Sequence, residues 1–300
     1  MKPDILKGYL FALVATIAFS NVYIFSKAAL NEVHLAQFGI YWFAIGTVLN
    51  FLMAAKNKKL SQAKTLTRKQ VQILVILGIL EILTTATFFV SINIIPDPAV
   101  TSFLGNMYPV FLTLGGIFLL KEKFGWVEII GAILALTGAF VVSYTGGTTL
   151  KTFFIAGTGI VFVNALLAAT ASMVVKVHVK ELSPEFINLN RTVWLFAFSI
   201  VVFLITKQSF AIPVSALKNI TIGAILGPFL AVLMVYYSFH YIDASRSSVV
   251  QSLKGIFVLI GAYFFFKTIP LQHQLIGGLI TVFGVLIMTL AQAGVFRKKL

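Results

Sequence analysis

Three charged side chains stand inside long apolar runs of this 300-residue chain: Glu81, Arg191 and Lys254. A charge at the centre of a bilayer costs about 2.5–3.5 kcal/mol on insertion scales, so such residues face a cavity or a partner. Lys254 lies near the middle of its run, too deep to snorkel, and its ammonium suits a carboxylate or a phosphate. Gln251 precedes Lys254 by three residues and Asn188 precedes Arg191 by three, so each pair shares a helix face and is a candidate polar wall. Glu81 reads as a proton-coupling carboxylate or as the internal counter-ion of Lys254 or Arg191. Arg191 reads as a cavity residue or as an anchor to headgroups. Tyr23, Trp42, Asn106, Tyr108 and His240 are further polar or amphipathic groups inside apolar runs, joined by Asn21, Asn93, Asn164 and Asn190. An amide facing lipid leaves its donors and acceptors unpaired, so most of these point inward, towards a substrate or a neighbouring helix. Lys27, Glu128 and Lys176 fall near the ends of runs, where snorkelling to the interface is the expected behaviour.

Other chemistries lack their residues. Cysteine is absent, which removes disulfides, thiol catalysis and cysteine metal sites. Four scattered histidines (His34, His178, His240, His273) have no metal-ligand spacing, and no cofactor is implied. An intramembrane hydrolase needs a nucleophile–base set, paired aspartates or HExxH. None is present, and Asp97 and Asp243 are expected at opposite membrane ends. No GxxxxGK[ST] motif occurs to power an ATP-driven pump.

Composition dictates the elements that must position these residues. The chain is 59% hydrophobic and 11% charged, against about 25% charged in an ordinary soluble domain. The excess apolar surface must face a lipid bilayer. Ten runs are long enough to cross one: 6–28, 35–55, 70–94, 97–120, 124–145, 153–177, 184–206, 216–241, 244–266 and 271–293. Turns separate them at Lys56 to Lys69, Pro96-Asp97-Pro98, Lys121-Glu122-Lys123, Gly146-Gly147, Ser183-Pro184, Lys207 to Pro213 and Ile269-Pro270. The N-terminal run resembles a signal peptide, but it continues past Ser20 to Phe25 and reads as an uncleaved first span. The net charge of +14 is not a nucleic-acid footprint, because its lysines and arginines sit mostly in short loops. Sixteen of the 23 fall on one side of the ten-span arrangement and five on the other, which puts both termini in the cytoplasm. Short loops and the absence of an organelle address favour a bacterial inner membrane.

The chain also matches itself. Gly8 to Lys27 runs parallel to Gly157 to Lys176. Asp97, Thr101-Ser102, Lys121, Gly131 and Gly138 recur as Asp243, Ser247-Ser248, Lys267, Gly277 and Gly284 at a constant shift of 146. Chance apolar similarity does not repeat Asp, Lys and spaced Gly in register. The chain is therefore read as two five-helix halves, 1–148 and 149–300. Five is odd, so the second half crosses upside down: an all-α integral membrane protein of ten transmembrane helices in two inverted five-helix repeats. Inverted repeats are a common transporter plan, with the site near the midplane between them. Pro109 removes a backbone hydrogen bond within the fourth span and kinks it, as a flexible gate or a static bend. Gly223 and Gly227 form a GxxxG, and Gly131 and Gly138 recur on one face; both sets are expected at close helix contacts.

Tyr108-Pro109 in the fourth span, Glu122 just after it, and Gly131 and Gly138 in the fifth span resemble the signature of the drug/metabolite transporter superfamily, in particular its EamA-type family. Gly277 and Gly284 resemble the same glycine pair, and Arg191 resembles the arginine of that family near the start of the second helix of a repeat. In the second half Gly255 stands in place of the proline and Thr268 in place of the Glu, and Tyr41-Trp42 occupies the place of the first-half arginine. The resemblance spans essentially the whole chain. It implies a ten-helix fold, cytoplasmic termini and export or exchange of a small metabolite. A cavity with Lys254 and Arg191 favours a carboxylate or phosphate, and Glu81 would add a site for an amino group, so an amino acid is the first substrate to expect. The expected partners are a small-molecule substrate and the bilayer, without nucleic acid. A non-transporting receptor or scaffold is the rival reading, and it predicts no need for Lys254.

Overall fold

The computed structural model describes residues 3–120, 125–145 and 154–292, and is helical with one isolated bridge between Tyr144 and Phe154. The turns at Lys121-Glu122-Lys123 and Gly146-Gly147, and with them Glu122 of the motif, lie outside the described residues. The helices are α1 (Pro3–Leu30), α2 (Leu35–Lys56), α3 (Arg68–Ile94), α4 (Pro98–Gly105), α5 (Met107–Leu120) and α6 (Trp126–Ser143), then α7 (Thr158–His178), α8 (Pro184–Ile205), α9 (Val214–Tyr241), α10 (Ala244–Gln251), α11 (Lys254–Phe266) and α12 (Gln272–Gln292). Seven of them are long and apolar enough to span a membrane alone. The rest of the crossings are made by α12 and by the consecutive helix pairs α4–α5 and α10–α11 of the fourth and ninth runs. Exposed Val48, Phe51, Ile133, Leu204, Phe264 and Phe283 form an outer belt that only lipid satisfies. This is an all-helical, multi-pass membrane protein with duplicated halves.

The fourth and ninth runs are not single helices. α4 ends at Gly105 and α5 starts at Met107, while α10 ends at Gln251 and α11 starts at Lys254. The first breaks because the Pro109 ring would collide with the carbonyl of residue 105, four positions back. Pro109 thus lies in the first turn of α5, where a missing N–H costs nothing, rather than at a mid-helix kink. The second break has glycine, Gly255, at the equivalent position, so proline alone does not define the feature. α4 and α10 coincide under the 146-residue shift, 98 to 244 and 105 to 251.

The halves are interlocked. The first helix of each half leaves its own half and packs on the third and fourth crossings of the other: α1 on α9, α10 and α11, and α7 on α3, α4 and α5. Two bundles result, {α1, α9, α10, α11} and {α3, α4, α5, α7}. α2 pairs with α8, and α6 pairs with α12, across the repeat. In the last pair a Cβ on Gly131 would meet the backbone of Gly284 and Met288, and one on Gly138 would meet that of Gly277 and Thr281. Position 131 corresponds to 277 and 138 to 284, so each glycine faces the equivalent of the other, as a two-fold axis requires. The helices run antiparallel in backbone contact. Gly223 and Gly227 instead make room for the indole of Trp42. A Cβ on Gly159 would meet nothing within 4 Å, so Gly159→Ala should leave stability unchanged or raise it by up to about 1 kcal/mol, measured as thermal stability in detergent.

Candidate functional site

A cavity of about 180 Å³ lies between the two bundles, below the roughly 300–1,000 Å³ of drug-sized clefts. Both helix breaks open onto it: Gly105 and Tyr108 from α4–α5, Gln251 and Lys254 from α10–α11. These are equivalent positions, 105 with 251 and 108 with 254, so one repeat supplies an amide and an ammonium where the other supplies glycine and a phenol. The same asymmetry separates Trp42 and Arg191, equivalent at a shift of 149 and both in the wall.

The charges are arranged in two ways. Arg191 Nε donates to Glu81 Oε2 at 2.7 Å, with only 12% and 10% of the two side chains exposed. Arg191 Nη2 donates to Thr85 Oγ1 at 3.3 Å and Tyr236 O–H to Glu81 Oε1 at 3.3 Å, while the buried Arg191 Nη1 has no acceptor among the described residues. Glu81 is therefore the counter-ion of Arg191, not of Lys254. Lys254 Nζ lies 5.3 Å from the centre of the Tyr23 ring and makes no hydrogen bond or ion pair among the described residues. Glu81 and Arg191 offset each other, which leaves Lys254 as the unbalanced basic side chain of the cavity wall. Apolar surface comes from Phe19, Trp42, Phe43, Phe88 and Phe89, and Tyr108 O–H donates to Ser172 Oγ at 3.0 Å.

Eight of the polar and aromatic residues singled out in the sequence meet at this cavity, Tyr23, Trp42, Glu81, Tyr108, Asn164, Arg191, Gln251 and Lys254, together with Gly227 of the GxxxG. Lys254 begins α11, so its run is interrupted where a continuous helix was expected. Asn188 turns away from Arg191 into a fully buried knot, where its Nδ2 donates to Asn50 Oδ1 at 2.7 Å and to the Pro228 carbonyl at 3.0 Å. That carbonyl belongs to a π-helical stretch, Ile225–Ala231, which widens around Pro228 because proline supplies no N–H. Asn106 is buried at the first break beside Gly255. His240 is exposed at the end of α9, edge-on to Tyr241, and Pro109 is buried outside the cavity wall. Lys27 and Lys176 do not snorkel: each donates to carbonyls at the C-terminus of a neighbouring helix. Glu128 does not snorkel either, being buried with its carboxylate against Gly125 at the start of α6. Tyr236, Ser172, Thr84 and Thr85 went unrecognised in the sequence. Thr84, Thr85 and Phe88 follow Glu81 by three, four and seven residues, so the helical period from that one charge would have found them.

Duplicated halves, two broken helices and a polar cavity between exchanged bundles define a membrane carrier. Residues 6–144 and 155–290 each match the model of the EamA-like transporter family, and the chain belongs to that family, a family of transporters and not of enzymes. A solved structure titled "Crystal structure of protein" superposes with a TM-score of 0.70 over 97% of this chain and 99% of that one, at 14% identity, a likeness of fold alone. No curated protein matches the sequence.

Proposed function

We propose that this transporter moves a small carboxylate-bearing metabolite with an apolar body, such as an amino acid or a related organic acid, by alternating access. The carrying observation is Lys254, a cavity lysine with no carboxylate partner among the described residues, beside a wall of aromatic rings. The carboxylate pairs with Lys254 Nζ, Gln251 adds an amide donor, and the side chain lies against Tyr23, Phe88 and Trp42. Glu81 is committed to Arg191 and Tyr236, so an amino group, if the substrate has one, is not recognised there. A cavity of about 180 Å³ fits a molecule of amino-acid size better than a nucleotide sugar.

The duplication supports reading 1–148 and 149–300 as the two repeats, but the exchange of α1 and α7 makes the moving bodies the two bundles rather than the two halves. Export or exchange is what the family resemblance implies. The bias of basic residues supports cytoplasmic termini, and the compact loops favour a bacterial inner membrane.

Uptake into proteoliposomes tests this. Labelled phenylalanine and phenylpropionate are compared with phenethylamine and with glucose, for wild type and Lys254→Gln. Saturable flux of one or both carboxylates is expected, with flux in Lys254→Gln about 100-fold lower, since losing one partner of a desolvated charge pair costs 2–5 kcal/mol. Flux of the amine or the sugar without the carboxylates would overturn the assignment, as would full activity in a folded Lys254→Gln.

A further inference from the structure

Two buried or half-buried lysines outside the cavity occupy equivalent positions, Lys27 at the end of α1 and Lys176 at the end of α7. Lys27 Nζ donates to the carbonyls of Ile92, Asn93 and Ile95 at 2.9, 3.3 and 3.0 Å, at the C-terminus of α3. Lys176 Nζ donates to those of Phe239 and Ile242 at 2.9 and 2.8 Å, at the C-terminus of α9. Asn93 and Phe239 are the same position of the repeat. Each ammonium also feels the aspartate that begins the broken helix: Asp97 for Lys27, and Asp243, at 4.0 Å, for Lys176.

Each contact crosses between the bundles. Lys27 belongs to {α1, α9, α10, α11} and grips α3; Lys176 belongs to {α3, α4, α5, α7} and grips α9. Because the repeats are inverted, the two contacts lie on opposite membrane faces. They are also unequally made. Lys27 is 8% exposed and spends all three N–H donors on carbonyls, and every residue of α4 beneath it is buried. The Lys176 side chain is 28% exposed, with Asp243 at 66%. Helix C-termini carry unpaired carbonyls and partial negative charge, so a lysine is a strong but reversible clasp there.

We propose that Lys27 and Lys176 are the gating residues of this transporter: two equivalent latches between the bundles, one on each face, tightened and released in alternation. In the state described here the Lys27 latch is enclosed on three carbonyls, and the Lys176 latch holds two carbonyls and Asp243 while partly open to solvent. In the opposite state Lys176 takes the complete set of carbonyls and Lys27 the partial one. Neither lysine touches the substrate, so each acts on the population of states and not on recognition. The assignment rests on the alternating-access reading.

The natural lack of cysteine allows single reporters in the full chain. Thr101→Cys and Ser247→Cys are equivalent, buried positions one turn into α4 and α10. Each is labelled in proteoliposomes with a membrane-impermeant maleimide, in wild type, Lys27→Met and Lys176→Met. Lys27→Met should speed labelling at Thr101→Cys by about tenfold, the size expected when charge-assisted hydrogen bonds are lost from one of two states, and leave Ser247→Cys unchanged or slower. Lys176→Met should do the reverse, and Lys27→Arg, which keeps the donors, should resemble wild type. Opposite shifts cannot come from general unfolding. Variants that raise both reporters together, or neither, while wild type labels at both positions, would overturn the latches and spare alternating access. A wild type that labels at one position only, with or without substrate, would remove alternating access and the latches with it.

Discussion

Replacing Glu81 with alanine should destabilise the protein by about 3–5 kcal/mol, the cost of leaving one member of a buried ion pair without its partner. Arg191 is close to fully enclosed, and Glu81 is the only carboxylate it contacts among the described residues. Without Glu81 the guanidinium keeps Thr85 alone, in a wall with no second carboxylate among the described residues. Arg191→Ala should cost a similar amount, because the carboxylate then retains only the phenol of Tyr236. The double variant Glu81→Met/Arg191→Met should recover most of the loss, since apolar side chains of similar volume often replace a buried pair at no net cost. Thermal and denaturant unfolding in detergent, read as a double-mutant cycle, gives the coupling directly. Additive losses would mean that water in the cavity already screens the pair. A double variant that is stable yet inactive would show that the pair serves the substrate as well as the fold.

Gly138→Val is the second large effect. Its Cβ would stand 2.5 Å from the Gly277 carbonyl oxygen and the Thr281 amide nitrogen, both backbone atoms with no rotamer to yield. α6 and α12 would have to separate along their length, and overpacking that moves two helices sits at or above the upper end of the roughly 1–3 kcal/mol range. Gly277→Val should behave alike, because its Cβ meets the Gly138 oxygen and the Val142 nitrogen at 2.8 Å. Loss of monodisperse protein in detergent, or a fall in melting temperature of several degrees relative to Gly159→Ala, is the expected outcome. Tolerance of both valines would mean that the α6–α12 contact is not needed to hold the outer pair together. Since this pair is peripheral to the cavity, residual folded protein should keep its substrate selectivity.

Much of the architecture followed from local chemistry. Twenty apolar residues, a turn and a charge are enough to mark a crossing, so the ten runs fall within a few residues of the helices and helix pairs that form. A constant shift of 146 exposes the duplication, because spaced Gly, Asp and Lys do not repeat in register by chance. The deep charges also identified the cavity, since a bilayer tolerates Glu81, Arg191 and Lys254 only where something other than lipid meets them.

Pairings between distant residues were not legible. Glu81 had two possible basic partners, and only the packing of α3 against α8 chose Arg191 and left Lys254 to face the cavity. Asn188 and Arg191 share a helix face at a spacing of three, yet one turn of that face meets α2 and α9 and the other meets the cavity. Lys27 and Lys176 looked like snorkelling residues because each lies near a membrane interface in sequence. Their true acceptors are carbonyl groups at helix ends more than sixty residues away, which no pattern of side chains announces. Local chemistry along the chain was enough for the number of crossings, their arrangement as two copies of one unit, and the charges that lie deep. The exchange of α1 and α7 between the copies, the two breaks at the cavity, and the charge left without a carboxylate among the described residues emerged from the packing of distant helices. Spans and repeats are set by contacts between near neighbours and by the solvent each residue must meet, whereas partners are set by which helix faces come to lie together.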